Sequence, residues 1–454
     1  MIAPLDQEFG LKGTRIGLVS KREALHAPES TALGTRLRRI AAMLAKKVLP
    51  ALLSIKVPLP IRAARWLTAW RMRTGRLRTV WGVTPILTLP LLSGCDRLLG
   101  LRSESLVFVT YYISRQFDVN LSRINRWVIA EHPEAYDNFT RWVLAWSLLR
   151  YDVFHLFNDR GMHNSNARIG ISPVELAALK RAGKRLYTYA YGADVRTRAR
   201  TLALGKFNLC AACPQPGLHC QCDDAAGEAN IAAIGRYANA MVATGDMLAY
   251  VPGARSMPYW PLDVRKIKPS ASPRRSGPLR VAHAPNHAYF KGTAYLEKAI
   301  EALRAEGCQI ELVLVQGVPN SDVLDLFLDA DIVADQFIAG FHGYTALEAM
   351  ALGKPVLCYL RGPDMAVDFD RCPIIRADPD TLETVLRDCL TGKLDLAGLG
   401  LESRRYVETH YSQEAIASKL GELYLETAEL SGMTLSRVME LTEAARLAAE
   451  RYRA

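Results

Sequence analysis

Between residues 36 and 78 the sequence contains no aspartate or glutamate, while it carries twelve lysines or arginines. That local absence accounts for the formal net charge of +11, because the remainder of the 454-residue chain holds 45 basic and 46 acidic residues. A near-neutral remainder argues against a nucleic-acid groove running over the molecule. No secretory leader is visible either. The first thirty residues mix Asp6, Glu8, Glu23 and Glu29 with Gly and Pro and hold no apolar core, so the chain is expected to start in the cytoplasm. Long apolar runs are missing as well. The longest uncharged stretch, residues 80–95, is short for a hydrocarbon core and is interrupted by Pro85 and Pro90, so no transmembrane helix is expected. With half of its residues apolar and 23% charged, the composition is that of a globular protein rather than a disordered one. Nine cysteines in a cytoplasmic chain are expected to stay reduced, so a cluster among them points to metal or redox chemistry before disulfides.

From about Arg78 short β-branched or aromatic runs alternate with helical patterns, the signature of parallel βαβ units. A first set comprises TVWGV near residue 79, SLVFVTYY at 105, YDVFHLF at 151, KRLYTYAYG at 184 and AMVATG at 240. A second comprises LRVAHA at 279, IELVLVQ at 310, DIVADQF at 331, PVLCYL at 355 and PIIRA at 373. Between them RKIKPSASPRRSGPL has no apolar periodicity and reads as a linker. The expected fold is α/β, with two Rossmann-like doubly wound domains, a basic N-terminal arm and C-terminal helices. The boundaries are an arm over 1–77, an acceptor domain over 78–263, a linker over 264–278, a donor domain over 279–411 and C-terminal helices over 412–454. Ligands of such sheets collect at the carboxyl ends of the strands, and a cleft between two of them is the expected pocket.

In the second half, the strand DIVADQF is followed by the turn AGFHG and then TALEAMALG, where Thr345 and Glu348 have capping-box spacing. A helix starting there, relieved at Gly343, turns free amides near Tyr344 and Thr345 toward solvent at the positive end of its dipole, which makes an anion site. The alternative is an ordinary helix cap. One strand earlier, LRVAHAPNHAYFKGTAYLEKAI places Asn286, His287 and Lys291 in a loop past a strand end, where a lysine can neutralise a phosphate. Glu348 repels phosphate but can accept hydrogen bonds from ribose hydroxyls.

HAPNHAYFKGT, IELVLVQGV and ADIVADQFIAGFHGYTALEAMALGKPVLCY together resemble the donor-binding domain of glycosyltransferase family 4, the group 1 glycosyl transferases of GT-B fold. The resemblance covers residues 279 to about 425 and extends over 78–265 mainly in strand order. It implies that Lys291 and the amides of Gly343, Tyr344 and Thr345 hold the diphosphate of a nucleotide sugar, that Glu348 binds its ribose, and that no catalytic metal is required. Two positions depart from the family pattern. Gly340 stands where a second glutamate is usual, and Asn286 stands where an arginine is common, with His283 or His287 near enough in sequence to supply part of its function.

In the first half, His155, Asn158, Asp159, His163, Asp194 and Arg196 fall near strand ends. The resemblance implies an acceptor-side or catalytic role for His155 and for Asp194 of Gly192-Ala193-Asp194; a core histidine and a surface Asp194–Arg196 pair are the plain alternatives. Cys210, Cys213, Cys220 and Cys222 lie within thirteen residues as CxxC and CxC, a spacing that four thiolates can use around a structural zinc, with unligated or redox-labile thiols as the alternative. The arm, with Trp66 and Trp70 among its cations, suits an anionic membrane surface. The resulting expectation is a glycosyltransferase, retaining by family resemblance. It would be peripheral at the inner face of the cell membrane and would act on an envelope glycan or lipid-linked acceptor. A GT-B scaffold that binds nucleotide without turnover, or a basic nucleic-acid-binding protein, is the competing expectation.

Overall fold

The computed structural model describes residues 50–427 except 112–115, 164–169, 212, 218, 219, 221 and 270–276, together with residues 440, 443, 446 and 447. The first fourteen residues of the basic 36–78 segment, most of the expected C-terminal helices beyond residue 427, and His219 of the cysteine loop lie outside them.

Two parallel sheets are present. The first contains β1 (Arg78–Val83), β2 (Arg102–Val107), β3 (Val119–Asn120), β4 (Val153–Phe157), β5 (Arg185–Tyr189), β6 (Ala240–Ala243) and β7 (Arg255–Ser256), in the order β3-β2-β1-β4-β5-β6-β7. The second contains β8 (Leu279–His283), β9 (Ile310–Leu314), β10 (Ile332–Ala334), β11 (Val356–Cys358) and β12 (Ile375–Arg376), in the order β12-β11-β10-β8-β9. Every residue of β4 and β5 is buried, which follows from helices covering both faces of a parallel sheet and explains why these runs are mostly apolar or aromatic in sequence. In the second sheet, the connection out of β8 leads to one side and β10 lies on the other. The chain therefore reverses its winding between β8 and β10, and a crevice opens outside their carboxyl ends.

Helix α1 (Ile61–Arg73) closes the opposite, amino-terminal end of the first sheet. Its inward residues Ala64, Thr68 and Arg71 recur at helical spacing and are buried. Thr68 Oγ1 donates to Asp152 Oδ1 at 2.9 Å, and Arg71 donates to the carbonyls of Leu149 and Arg150 and to Asp152 at 3.3 Å. Lys184 adds its ammonium to Thr68 Oγ1 and the Tyr151 carbonyl, both at 2.6 Å, and burial draws its pKa down to about 8. Part of the sequence's basic segment is thus folded inward against one carboxylate.

The chain passes between the two sheets twice, and the passages pair: Leu262 N donates to Tyr411 O at 2.7 Å and Gln413 N to Leu262 O at 3.1 Å. Ser412 then caps α2 (Gln413–Glu426) by accepting from Ala415 N. This helix returns to the first core, where Ile416, Leu420, Leu423 and Tyr424 pack with Trp81, Leu89, Leu92 and Cys95. At its end the Tyr424 hydroxyl donates to Asp96 Oδ1 at 2.6 Å, a carboxylate that also accepts from Trp81 Nε1 at 2.8 Å. Burial raises the pKa of Asp96, while these donors oppose the rise.

Removing the carboxylate that anchors α1 tests its docking. Asp152→Ala leaves Arg71 and Lys184 buried without their counter-charge, and should cost about 3–5 kcal/mol in equilibrium denaturant unfolding. A loss under about 1 kcal/mol would show that α1 is not held as described.

Candidate functional site

A cavity of about 580 Å³ lies between the two sheets. Its first wall includes Pro85 to Thr88, Tyr111, Tyr191, Arg196, Met247 and Trp260; its second includes Ala284 to Asn286, Val315 to Val318, Asn320, Gln336, Phe341 to Thr345 and Glu348. The second wall is built from the loops after β8, β9 and β10, so it occupies the crevice set by the strand order.

Helix α3 (Tyr344–Ala351) starts at this wall. Its N-cap is Gly343, in extended backbone, and no side chain caps it. The Thr345–Glu348 capping box expected from spacing is therefore not formed, because the helix begins before Thr345 and carries that residue in its first turn. The amide of Gly343 is also not open to a ligand, since it donates to Asp335 Oδ2 at 2.5 Å. The amides of Tyr344 and Thr345 remain at the dipole's positive end and face the cavity wall. Tyr344 pins the helix by donating its hydroxyl to Pro261 O at 2.8 Å.

Lys291 ends a short helical turn, Ala288–Lys291, and Gly292 at φ +72° reverses the chain into the next helix. That left-handed conformation is one that few residues other than glycine adopt. The turn brings Lys291 Nζ to 2.6 Å from Asp335 Oδ1. A methyl group added at Gly343 would come 2.8 Å from the same Nζ, so ammonium and helix start are in contact. Asp335 was not read from the sequence. The signal was an acid directly after the apolar β10 run, facing the loop that carries Lys291. Its carboxylate is wholly buried, yet its pKa is lowered: burial acts upward and is outweighed by the Lys291 charge and the bonds from Lys291 and Gly343.

Glu348 is buried on α3 and accepts from Asn320 Nδ2 at 2.9 Å. Burial lifts its pKa to about 7, with Asp335 adding to the rise. Asn286 and His287 are exposed past the end of β8; Asn286 lines the cavity, and His287 packs edge-on against Phe290. His283 turns inward, between the Ala334 carbonyl on Nδ1 and Thr293 Oγ1 on Nε2, both at 2.8 Å. The carbonyl can only accept, which fixes the proton on Nδ1, and burial draws the pKa down to about 4. His283 therefore offers no charge to a phosphate. His342 lines the cavity and is also driven down to about 4 by burial.

The first-half expectations divide. His155 does not reach the cleft. It is fully buried in β4, stacked on Trp81 with ring centroids 3.9 Å apart, and hydrogen bonded to the Tyr189 and Tyr424 hydroxyls at 3.0 and 2.9 Å. Its place in a fully covered strand is the physical reason. Asp194 accepts from the amides of Tyr191 and Gly192 at 2.9 and 2.8 Å and from Asn158, and so shapes the turn after β5 from behind the cavity wall. Burial, with Asp159 nearby, lifts its pKa to about 7. Arg196 does line the cavity, but its ion-pair partner is Asp246, gripped at 2.9–3.1 Å, rather than Asp194. In the cysteine loop, the Sγ atoms of Cys220 and Cys222 are 3.0 Å apart, and burial raises the pKa of Cys210 and, to about 11, of Cys220. Among the described residues, no three or more His, Cys, Asp or Glu side chains are grouped to hold a metal ion, so the four thiols of Cys210, Cys213, Cys220 and Cys222 are not gathered into the expected tetrahedron.

No protein-family model matches the chain, and no curated protein matches it in sequence. Solved structures do. Sucrose-phosphate synthase from Thermosynechococcus elongatus is 11% identical, aligns over 78% of this chain and 100% of its own, and superposes with a TM-score of 0.51. The Anabaena protein HepE in complex with UDP-glucose is 11% identical over 76% of this chain and 99% of its own, at a TM-score of 0.46. The lipopolysaccharide outer core galactosyltransferase WaaB is 11% identical over 77% and 99%, at 0.43. The likeness is one of fold, and the fold is GT-B: two Rossmann-like α/β domains facing each other across a cleft.

The raised pKa of Glu348 gives a stability test. Its folded pKa of about 7 lies above the unfolded value of ~4.3, so the folded state holds the proton more tightly, and stability falls as pH rises between those values. Glu348→Gln cannot ionise. It should melt higher than the wild type at about pH 8, with the difference vanishing toward about pH 4, as followed by thermal unfolding across that range.

Proposed function

We propose that the chain is a glycosyltransferase that takes a hexosyl or related sugar from a nucleotide-sugar donor, with retention, and delivers it to an envelope glycan or lipid-linked acceptor at the inner face of the cell membrane. One observation carries the donor part of this reading. The ammonium of Lys291 lies against the start of α3 in the wall of an interdomain cavity, so a cation and two free amides converge where a diphosphate would sit. The resemblance to glycosyltransferase family 4 supports retention and the assignment of the ribose to Glu348, whose neighbour Asn320 offers a second polar group on the same wall.

In this reading, the residues work mainly on the leaving group. As the bond from the sugar's anomeric carbon to the diphosphate oxygen breaks, negative charge grows on the diphosphate, and Lys291 with the Tyr344 and Thr345 amides stabilises it without reorganising. Asp335 keeps the ammonium in position. Asn286 and His287, at the mouth, are placed to meet the outer phosphate or the sugar. Asp194 would hold the turn that presents Tyr191 and Arg196 to the acceptor, rather than touch the reacting atoms. No protein base is assigned: the acceptor hydroxyl oxygen would bond to the anomeric carbon as the diphosphate oxygen leaves, and its proton would pass to that departing oxygen.

A second reading, nucleotide binding without turnover, has its own supporting observation. At Gly340 the Arg361 guanidinium fills the side-chain space, its central carbon 2.6 Å from where a Cβ would stand, so no carboxylate reaches the sugar from that turn. Thermal-shift screening of a panel of nucleotide sugars, followed by assay of hydrolysis and transfer on those that bind, separates the two. The transferase reading expects donor consumption. Lys291→Ala should weaken donor binding at least tenfold and abolish transfer. Because that variant leaves Asp335 buried and unpaired, it is compared with Lys291→Ala/Asp335→Asn, in which the orphaned charge is removed. Glu348→Ala should likewise abolish transfer. Full activity in the lysine and glutamate variants would sink the site assignment, and binding without any consumption would favour the second reading.

A further inference from the structure

The inward face of α1 is accounted for by Asp152, but its outward face is unusual. Trp66 is 66% exposed and Trp70 41%, and they share one side of the helix with Arg62, Arg65 and Arg73, all exposed. At 100° per residue these five positions fall within about 140° of arc, so they form one continuous stripe. The helix contains no acidic residue. Two large apolar rings held in water are costly, and the rigid anchoring of Thr68, Arg71 and Lys184 prevents α1 from rolling to hide them.

We propose that this stripe docks on the anionic surface of a lipid bilayer. Indole rings suit the headgroup layer, where the ring is apolar and its N–H still finds a polar partner, and arginine stems can lie along the same layer while their guanidinium groups meet phosphate. Positive charge without any opposing acid is complementary to an anionic leaflet, and each cation near such a surface adds to the attraction. No helix of the described residues is long and apolar enough to cross a membrane, so the contact is a surface one. A polynucleotide is the competing partner for the same cations, but the stripe is the convex side of a single helix and provides no groove to follow a phosphate backbone, whereas a flat bilayer meets it along its whole length.

The placement of the surface adds a geometric result. Asp152 immediately precedes β4 and Lys184 immediately precedes β5, so α1 sits at the amino ends of strands whose carboxyl ends lead toward the cleft. Five residues of β4 put about 17 Å of sheet between the two. This inference does not depend on what the cleft binds.

The test uses the full chain with vesicles of phosphatidylcholine, alone or containing phosphatidylglycerol. The wild type should float with the anionic vesicles and not with the neutral ones, and brominated lipid should quench part of its tryptophan emission. Trp66→Ser/Trp70→Ser and Arg62→Glu/Arg65→Glu/Arg73→Glu should each lower vesicle affinity at least tenfold, and the tryptophan pair should lose the lipid-induced quenching. Because these side chains point outward, circular dichroism and nucleotide-sugar thermal shifts should match the wild type in both variants. Flotation unchanged in the two variants, no flotation of the wild type, or an RNA oligonucleotide that binds the wild type and displaces the vesicles would each overturn the proposal.

Discussion

One buried carboxylate organises the second half of the molecule. Asp335 has left water entirely, and an ion in that position must be compensated within a few ångströms or take up a proton. Lys291 and the Gly343 amide supply the compensation, and in doing so join the loop after β8 to the loop after β10. The location of the ammonium and the entry of α3 both follow from that contact, whereas the carboxyl of Glu348 is pushed up mainly by its own burial. An incoming anion therefore meets a lysine whose position is already fixed but whose charge is shared. The site is preorganised by an internal anion on its inner side, and the exposed side of the ammonium is the part left for a ligand.

The first half has two comparable centres, one at the amino end of its sheet and one near its middle. At the amino end, Asp152 collects Thr68, Arg71 and Lys184 and fixes α1. Near the middle, Asp96 collects Trp81 and Tyr424 and fixes α2. In both cases a buried acid ties a distant segment to the sheet. Cations that look surplus in the sequence therefore divide into a structural set, turned inward, and an exposed set, turned outward.

The α/β class and the runs behind most of the strands could be read directly, because fully covered parallel strands leave mostly apolar or aromatic text such as YDVFHLF and KRLYTYAYG, whereas the two-residue strands β3 and β7 leave none. The strand order could not, since it depends on which crossover packs beside which and no local pattern records that. C-terminal helices were expected over 412–454, but not that the one over 413–426 packs into the first core. His155 misled because a histidine at the end of an apolar run looks the same whether it faces a cleft or stacks on Trp81. Thr345 misled because capping-box spacing competes with Gly343, whose extended backbone starts the helix earlier. Asp335 escaped notice because a single acid after a strand acquires its meaning only from the lysine that folding brings to it. The GT-B architecture was legible through the motifs around Lys291 and Glu348; the atoms that hold those motifs in place were not.

The paired passages at Leu262 and Ser412 have a mechanical consequence. Two chain crossings that lie side by side and bond to each other behave as a single pivot line, unlike crossings placed far apart, which would brace the halves against each other in two places. Swinging the sheets about that line leaves the Leu262–Tyr411 and Gln413–Leu262 bonds intact, whereas sliding one sheet past the other would break both. Tyr344, tied to Pro261, keeps the start of α3 beside that line.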